Sequence, residues 1–388
     1  FLLAERFVVA AWDGAICFAQ ARSRDSKSGL RRLSFIHKNT SCVAWQGAKP
    51  GTGAQAKGED IMSNQIGRRA LMGLSAMAVA TAMLGGTTAA YAADVTIPVI
   101  VKDTTSFYWQ IVLAGARQAG KDLGVKVPEL GAQSESDING EINILENAVA
   151  GKPAAIVIAP TEFKALGAPI TEAAKSVPII GIDSAADSKA FTSFLTTDNV
   201  NGGRIAADGL AAAIKEKTGA IKGDVAIITS LPGVGSLSQR DQGFKEQIAA
   251  KYPDLHIIAD RVADGQATTG LNITTDLLTA NPDLVGIFAD NLIMGQGSGQ
   301  AIAENGVASK VALVSFDSDD KTLGFLDNGT TAALVVQDPY RMGYDGVKTA
   351  LAVSKGEKVP ANVDTGANLV TKANENDPKI AALIHPKV

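Results

Sequence analysis

The chain has 388 residues, a formal net charge of −4, 46% hydrophobic residues and 20% charged residues. That length suits two or three domains with sizeable cores. The hydrophobic share excludes a disordered chain, and the charge excludes a strongly basic nucleic-acid binder. Glycine is common and aromatics make up only 5%, a balance that suits an α/β protein with many tight strand-to-helix turns.

The first 92 residues differ from the rest. From Met62 a short basic stretch ends in Arg68 and Arg69, an apolar run follows from Ala70 to Leu84, and a small-residue stretch closes on Ala90-Tyr91-Ala92. This three-part layout predicts a secretory signal peptide over residues 62–92, cut before Ala93. The apolar run is too short, and too broken by glycine at its end, for the ~20 residues that span a bilayer. The paired arginines permit twin-arginine export as well as the general route. Residues 1–61 begin with Phe1, show no sustained apolar periodicity and hold both cysteines, Cys17 and Cys42. They are expected to be translated upstream sequence, with Met62 the true start. Residues 1–92 carry 11 of the 36 Lys and Arg and 5 of the 40 Asp and Glu, so 25 basic and 35 acidic groups remain from Ala93 onward, a net charge of −10. Without cysteine the remaining chain can form neither a disulfide framework nor a thiolate metal site. No cysteine follows the signal to carry a lipid, so a soluble periplasmic product is expected.

From Val95 short β-branched runs alternate with amphipathic stretches. The predicted strands are Val95 to Val101, Ala155 to Ala159, Val177 to Ile182, Val225 to Thr229, His256 to Arg261, Leu284 to Ala289, Val311 to Phe316 and Ala332 to Gln337. The predicted helices are Tyr108 to Leu123, Asp137 to Ala150, Gly203 to Lys215, Gln239 to Lys251, Gly270 to Thr279, Gly295 to Glu304 and Arg341 to Ser354. Strands alternating with helices of this length imply βαβ units and parallel sheets, and the strand count implies two doubly wound sheets. A boundary is read at Thr197-Asp198-Asn199 and a second crossing at Gln337-Asp338-Pro339, where proline ends the strand. The expected fold is α/β, with an N-terminal lobe of residues 93–197 plus 338–366 and a C-terminal lobe of 198–337 plus 367–388. The two lobes are joined by a hinge that the chain crosses more than once.

In open α/β sheets ligands bind beyond the carboxyl ends of the strands, so polar residues directly after a strand are informative. After the first strand come Lys102, Asp103, Ser106, Tyr108 and Trp109. Asp183 follows Ile182, Asp290 and Asn291 follow Ala289, Asp317 follows Phe316, and Gln337 ends its own strand. Arg240 lies at a helix start after the turn Pro232-Gly233-Val234-Gly235. Taken singly, an Asp after a strand is as readily a helix N-cap or an Asx-turn. Their recurrence at one topological place points instead to a polyhydroxy ligand. Carboxylates accept from hydroxyls, amides both donate and accept, arginine presents a planar fork of donors, and aromatic faces cover C–H patches. The glycine pairs Gly233-x-Gly235 and Gly295-x-Gly297-x-Gly299 do not complete a dinucleotide fingerprint, and there is no P-loop motif. From Ala93 onward the histidines are His256 and His385, which do not make a metal site, and Asp317-Ser318-Asp319-Asp320-Lys321 lacks the closing Glu of a calcium loop.

Several stretches carry a family resemblance in order and spacing: Thr197-Asp198-Asn199-Val200-x-Gly202-Gly203, Gln239-Arg240-x-x-Gly243-Phe244, Gly270-Leu271-Asn272, Asp276-Leu277-Leu278, Asn281-Pro282-Asp283, Phe288-Ala289-x-Asn291 and Ser315-Phe316-Asp317. From Val95 to about Val370 the chain resembles the ribose-binding type of periplasmic sugar-binding proteins, type I receptors of ABC importers. The resemblance implies a non-enzymatic, monomeric receptor without cofactor. It would carry a monosaccharide to an inner-membrane ABC permease and could also be read by a chemoreceptor. It places the sugar contacts on Ser106, Tyr108, Trp109, Asp183, Arg240, Asn291, Asp317 and Gln337. The chain departs from the ribose pattern where paired phenylalanines become Tyr108-Trp109, an arginine becomes Ser184, and an aromatic near Gly265 is missing. Lys102 and Asp103 add charge at a place that is usually neutral, and Lys102 is expected to supply the donor that Ser184 cannot. Lost bulk implies a larger pocket, so a pyranose or related polyol is favoured over ribose. Two other classes are weighed against this. A sugar-responsive transcription regulator needs a DNA-binding helix pair where the export signal stands, and a sugar-acting enzyme would use Asp183 and Asp317 as paired carboxylates.

Overall fold

The computed structural model describes residues 95–386 together with β1 (Arg6–Trp12) and β2 (Ala15–Ala21). These two strands form an antiparallel pair by themselves, where the sequence suggests no element. The predicted signal peptide lies outside the described residues.

The main body is built from alternating strands and helices. First come β3 (Val99–Asp103), α1 (Phe107–Leu123), β4 (Glu129–Ala132), α2 (Ile138–Ala150), β5 (Ile156–Ile158), α3 (Gly167–Ala173), β6 (Ile179–Ile182) and β7 (Phe191–Thr196). Then follow α4 (Asn199–Thr218), β8 (Gly223–Thr229), α5 (Gly235–Lys251), β9 (Leu255–Val262), α6 (Ala267–Ala280), β10 (Leu284–Ala289), α7 (Leu292–Glu304) and β11 (Ala312–Phe316). The chain ends with α8 (Asp320–Asp327), β12 (Ala333–Val336), α9 (Pro339–Ser354), β13 (Asn362–Asp364), β14 (Asn368–Val370) and α10 (Pro378–Ile384).

The strands make two six-stranded sheets, ordered β4-β3-β5-β6-β7-β13 and β9-β8-β10-β11-β12-β14. All their pairings are parallel except β12 with β14. Parallel strands covered on both faces must be apolar on both, and these are. Val99 and Val101 turn to the face under α1 and α9, while Ile100 turns to the face under α2 and α3. In the second sheet Val225 and Ile227 pack against α4 and α5, while Ala226 and Ile228 pack against α6 and α7. The chain crosses between the sheets three times, after β7, after β12 and between β13 and β14.

Each sheet reverses its winding at its second strand, since the chain leaves β3 for β4 on one side and then β5 on the other, and treats β8 likewise. The crevice at such a switch point is where open α/β sheets bind ligands. Lys102 and Asp103 end β3, and the α5 helix that carries Arg240 follows β8.

Candidate functional site

Between the two sheets lies a small, partly open cavity. Its wall combines Lys102, Ser106, Tyr108, Trp109, Glu135 and Asp183 from the first lobe with Val234, Ser236, Leu237, Arg240, Asn291, Leu292, Ile293 and Asp317 from the second. Eight of the eleven residues singled out in the sequence therefore meet at one place, while Asp103, Asp290 and Gln337 do not line it.

Asp183 and Asp317 occupy equivalent positions. Each directly follows the fourth strand of its sheet counted from the β4 or β9 edge, and each has a φ of +62°. Each donates its N–H across to the next strand, Asp183 to Leu195 O at 3.0 Å and Asp317 to Val335 O at 2.8 Å. Asp183 accepts from Tyr108 Oη at 2.9 Å and Ser184 Oγ at 2.8 Å, and pairs with Lys102 Nζ at 2.8 Å. Burial pushes the Asp183 carboxyl up, but the positive charges of Lys102 and Arg240 outweigh it and hold the group below its ordinary range. Asp317 lacks a lysine partner. Burial raises it to about 6, against the lowering effects of Arg240 and of Gln337.

Arg240 is fixed before any ligand arrives. Its Nε donates to Asn199 Oδ1 at 2.9 Å, its Nη1 donates to Asp290 O at 2.9 Å, and its guanidinium lies over the Phe316 ring at 3.9 Å. Nη2 has no acceptor among the described residues, so it is the edge available to a ligand. The motifs around it have the same purpose. A Cβ on Gly203 would meet Arg240 O at 2.0 Å, and one on Gly243 would meet Val200 O at 1.9 Å. Only glycine allows α4 and α5 to approach this closely, while Asp198 caps α4 by accepting from Asn201 N.

Ser106 is the N-cap residue of α1, yet its side chain makes no capping bond. Asn291 caps α7 by accepting from Met294 N at 2.9 Å, which uses its oxygen and leaves its amide donor. Tyr108 and Trp109 meet edge to face with centroids 4.9 Å apart, and Lys102 Nζ lies 5.3 Å from the Trp109 ring.

Two expected contacts stand behind the wall. Asp103 Oδ1 accepts from Thr105 N, Thr105 Oγ1 and Ser106 N, so it builds the turn into α1. Gln337 donates through Nε2 to both oxygens of Asp317, at 3.2 and 3.0 Å, and orients that carboxylate. Lys102, expected to replace a missing donor, spends its charge on Asp183 and its other contact on Ser184 Oγ at 2.6 Å. The remaining six wall residues, Glu135, Val234, Ser236, Leu237, Leu292 and Ile293, are not among the site residues expected from sequence. Glu135 comes three residues after β4 ends, so the strand-end rule would have found it had β4 been recognised.

Among the described residues no group of His, Cys, Asp and Glu is placed to hold a metal ion, and no helix is long and apolar enough to cross a membrane.

Residues 97–358 match the periplasmic binding protein domain family. The chain is 30% identical to the ribose import binding protein of Haemophilus influenzae over 281 residues, 71% of this chain and 91% of that one. It is 30% identical to the D-allose-binding periplasmic protein of Escherichia coli over 269 residues, 67% and 85% of the two chains. Among solved structures, a carbohydrate transporter solute binding protein from Agrobacterium radiobacter in complex with D-arabinose is 77% identical. It aligns with a TM-score of 0.75 over 76% of this chain and 99% of that one. An ABC transporter solute binding protein from Agrobacterium vitis with bound D-fucose is 37% identical, with a TM-score of 0.71 over 75% and 100%. With two doubly wound parallel lobes and one polar cavity between them, the chain belongs to the periplasmic binding protein family, among its ribose-type sugar-binding members.

Proposed function

We propose that this protein is an exported periplasmic receptor that closes its lobes over one uncharged monosaccharide and presents it to an inner-membrane ABC permease. The carrying observation is a cavity that draws polar groups from both lobes and whose two cations each face a carboxylate. Lys102 is neutralised by Asp183, and Arg240 faces Asp317. What remains for a ligand is the carboxylates of Asp183 and Glu135 in the first lobe and of Asp317 in the second, an arginine fork, the Asn291 amide, the Ser106 hydroxyl and two aromatic faces. That set suits adjacent hydroxyls on a C–H-faced ring. A sugar touching both lobes binds the closed form more tightly than the open one and so shifts the population to closure.

D-arabinose as a pyranose is the favoured ligand, on the strength of the 77% identical relative and of the absence of the ribose-type arginine at Ser184. Export follows from the signal-like segment 62–92, and a monomer is sufficient because one chain supplies the whole wall. The chemistry is read as binding without turnover, in line with the import and solute-binding relatives. The test is to strip bound ligand by unfolding and refolding, then titrate aldopentoses, aldohexoses, deoxyhexoses and polyols by calorimetry. The ligand is then recovered after long incubation. One sugar should saturate a single site and return unchanged, whereas a converted product would replace the receptor with an enzyme.

A further inference from the structure

The first lobe offers a ligand a second carboxylate besides Asp183. Glu135 sits in the loop between β4 and α2 and lines the cavity beside Lys102 and Trp109. Its Oε1 accepts from the Trp109 indole Nε1 at 2.6 Å. Among the described residues no other hydrogen bond reaches this carboxylate, so Oε2 is left without a protein partner. Lys102, the nearest cation named above, is already engaged by Asp183 at 2.8 Å and Ser184 at 2.6 Å. Glu135 is half-buried and its Oε2 is still open to solvent, so it is an acceptor ready to exchange water for a ligand hydroxyl when the lobes close.

Resting on the receptor reading, we propose that Glu135 is a specificity-determining ligand contact: it accepts one sugar O–H at the Trp109 end of the cavity. Because the indole N–H holds Oε1, the acceptor and the stacking face form one rigid corner. Such a corner rejects a ligand whose hydroxyl there is replaced by hydrogen, since the ligand then displaces water from the oxygen without pairing it. It rejects fluorine more strongly, because fluorine cannot donate and would face an acceptor. Asp183 and Asp317 govern other hydroxyls, so the discrimination belonging to Glu135 is confined to one ring position.

The test uses D-arabinose and its monodeoxy and monodeoxyfluoro derivatives, titrated calorimetrically into the ligand-stripped protein and into the Glu135→Gln and Glu135→Ala variants. The unsubstituted protein should lose about tenfold or more in affinity for the deoxy sugar at one position, and more for the fluoro sugar there. In Glu135→Gln, whose amide can donate to fluorine, the fluoro sugar at that position should recover at least fivefold relative to D-arabinose. Ratios at the other positions should not move. In Glu135→Ala the deoxy discrimination should vanish at that position alone. If both variants bind D-arabinose with every analogue ratio unchanged, Glu135 serves only to seat Trp109 and the assignment is wrong. If the unsubstituted protein takes up D-arabinose with no heat at all, the receptor reading fails for this ligand and the assignment falls with it.

Discussion

At the scale of single residues, two aspartates hold a left-handed backbone that side chains other than glycine rarely adopt. A φ of +62° costs on the order of 1 kcal/mol at each of Asp183 and Asp317, and the same turn in both lobes aims a carboxylate into one cavity. The two then behave differently. Asp317, raised to about 6 from 3.8, keeps its proton more tightly folded than unfolded. Its contribution to stability is therefore present below about pH 4 and lost as pH rises through about 6. Hydroxyl donors from a ligand favour the ionised form, so binding should release a proton, and affinity should improve several-fold between pH 5 and pH 7.5. Calorimetry in buffers of different ionisation heat reads the proton, and Asp317→Asn should flatten the profile. Asp183 is already ionised in that window and takes no part. Its pair is a matter of stability: Lys102→Met leaves a buried carboxylate uncompensated and should cost about 3–5 kcal/mol in urea unfolding, with partial recovery in Lys102→Met combined with Asp183→Asn. From sequence, Asp103, Asp183 and Asp317 are alike, each following a strand. What separates the turn-builder from the two wall residues is backbone angle, and the alphabet does not record it.

At the scale of elements, the strands that escaped the sequence reading are mostly short or at sheet edges. Glu129–Ala132 has no β-branched residue, and Asn362–Asp364 and Asn368–Val370 have three residues each. Sheet neighbours, rather than local preference, make them extended. Phe191–Thr196, rich in Phe and Thr, carries a compositional signal of a strand. Missing β4 hid Glu135, the only site carboxylate that the strand-end rule failed to reach. The long helices were legible because their apolar spacing is sustained, whereas α3 contains Pro169 and α8 and α10 span only eight and seven residues. The helix contacts repeat between lobes. Gly115 and Gly343 bring α1 against α9, with a Cβ on each meeting backbone oxygen at 2.0 and 1.9 Å, as Gly203 and Gly243 do for α4 and α5. Gly243→Ala should push these helices apart, destabilise by about 1–3 kcal/mol, and weaken sugar binding at temperatures where the variant is fully folded, because Arg240 rides on α5. Melting and titration of the same sample separate the two effects.

At the scale of the whole molecule, the lobes touch directly as well as through any ligand. Phe163 N donates to Gly233 O at 2.9 Å, and Ser184 Oγ lies 2.7 Å from Ser236 Oγ. Since Ser184 gives its proton to Asp183, Ser236 is the donor in that second contact, and it ties the second lobe to the charged pair of the first. Removing one such bond is worth about 1 kcal/mol. Ser236→Ala should therefore weaken sugar binding about fivefold and shift the ligand-free protein toward a larger radius of gyration in solution scattering. This closed contact could not be read from the sequence, where Ser184 stood only for a lost arginine. The two-lobed layout and most of the wall could, because winding order places strand ends together whatever the side chains are.

The central claim is that this cavity binds one sugar. Of the three tryptophans, Trp12 and Trp45 precede the predicted export cut, so a chain starting at Ala93 carries Trp109 alone, set in the cavity wall. The direct measurement is Trp109 emission and heat recorded together while D-arabinose is titrated into stripped, refolded, monodisperse protein. A saturable one-site response in both signals, abolished in Arg240→Ala, is the predicted result. Silence in both signals across the aldopentoses, aldohexoses, deoxyhexoses and polyols would contradict it.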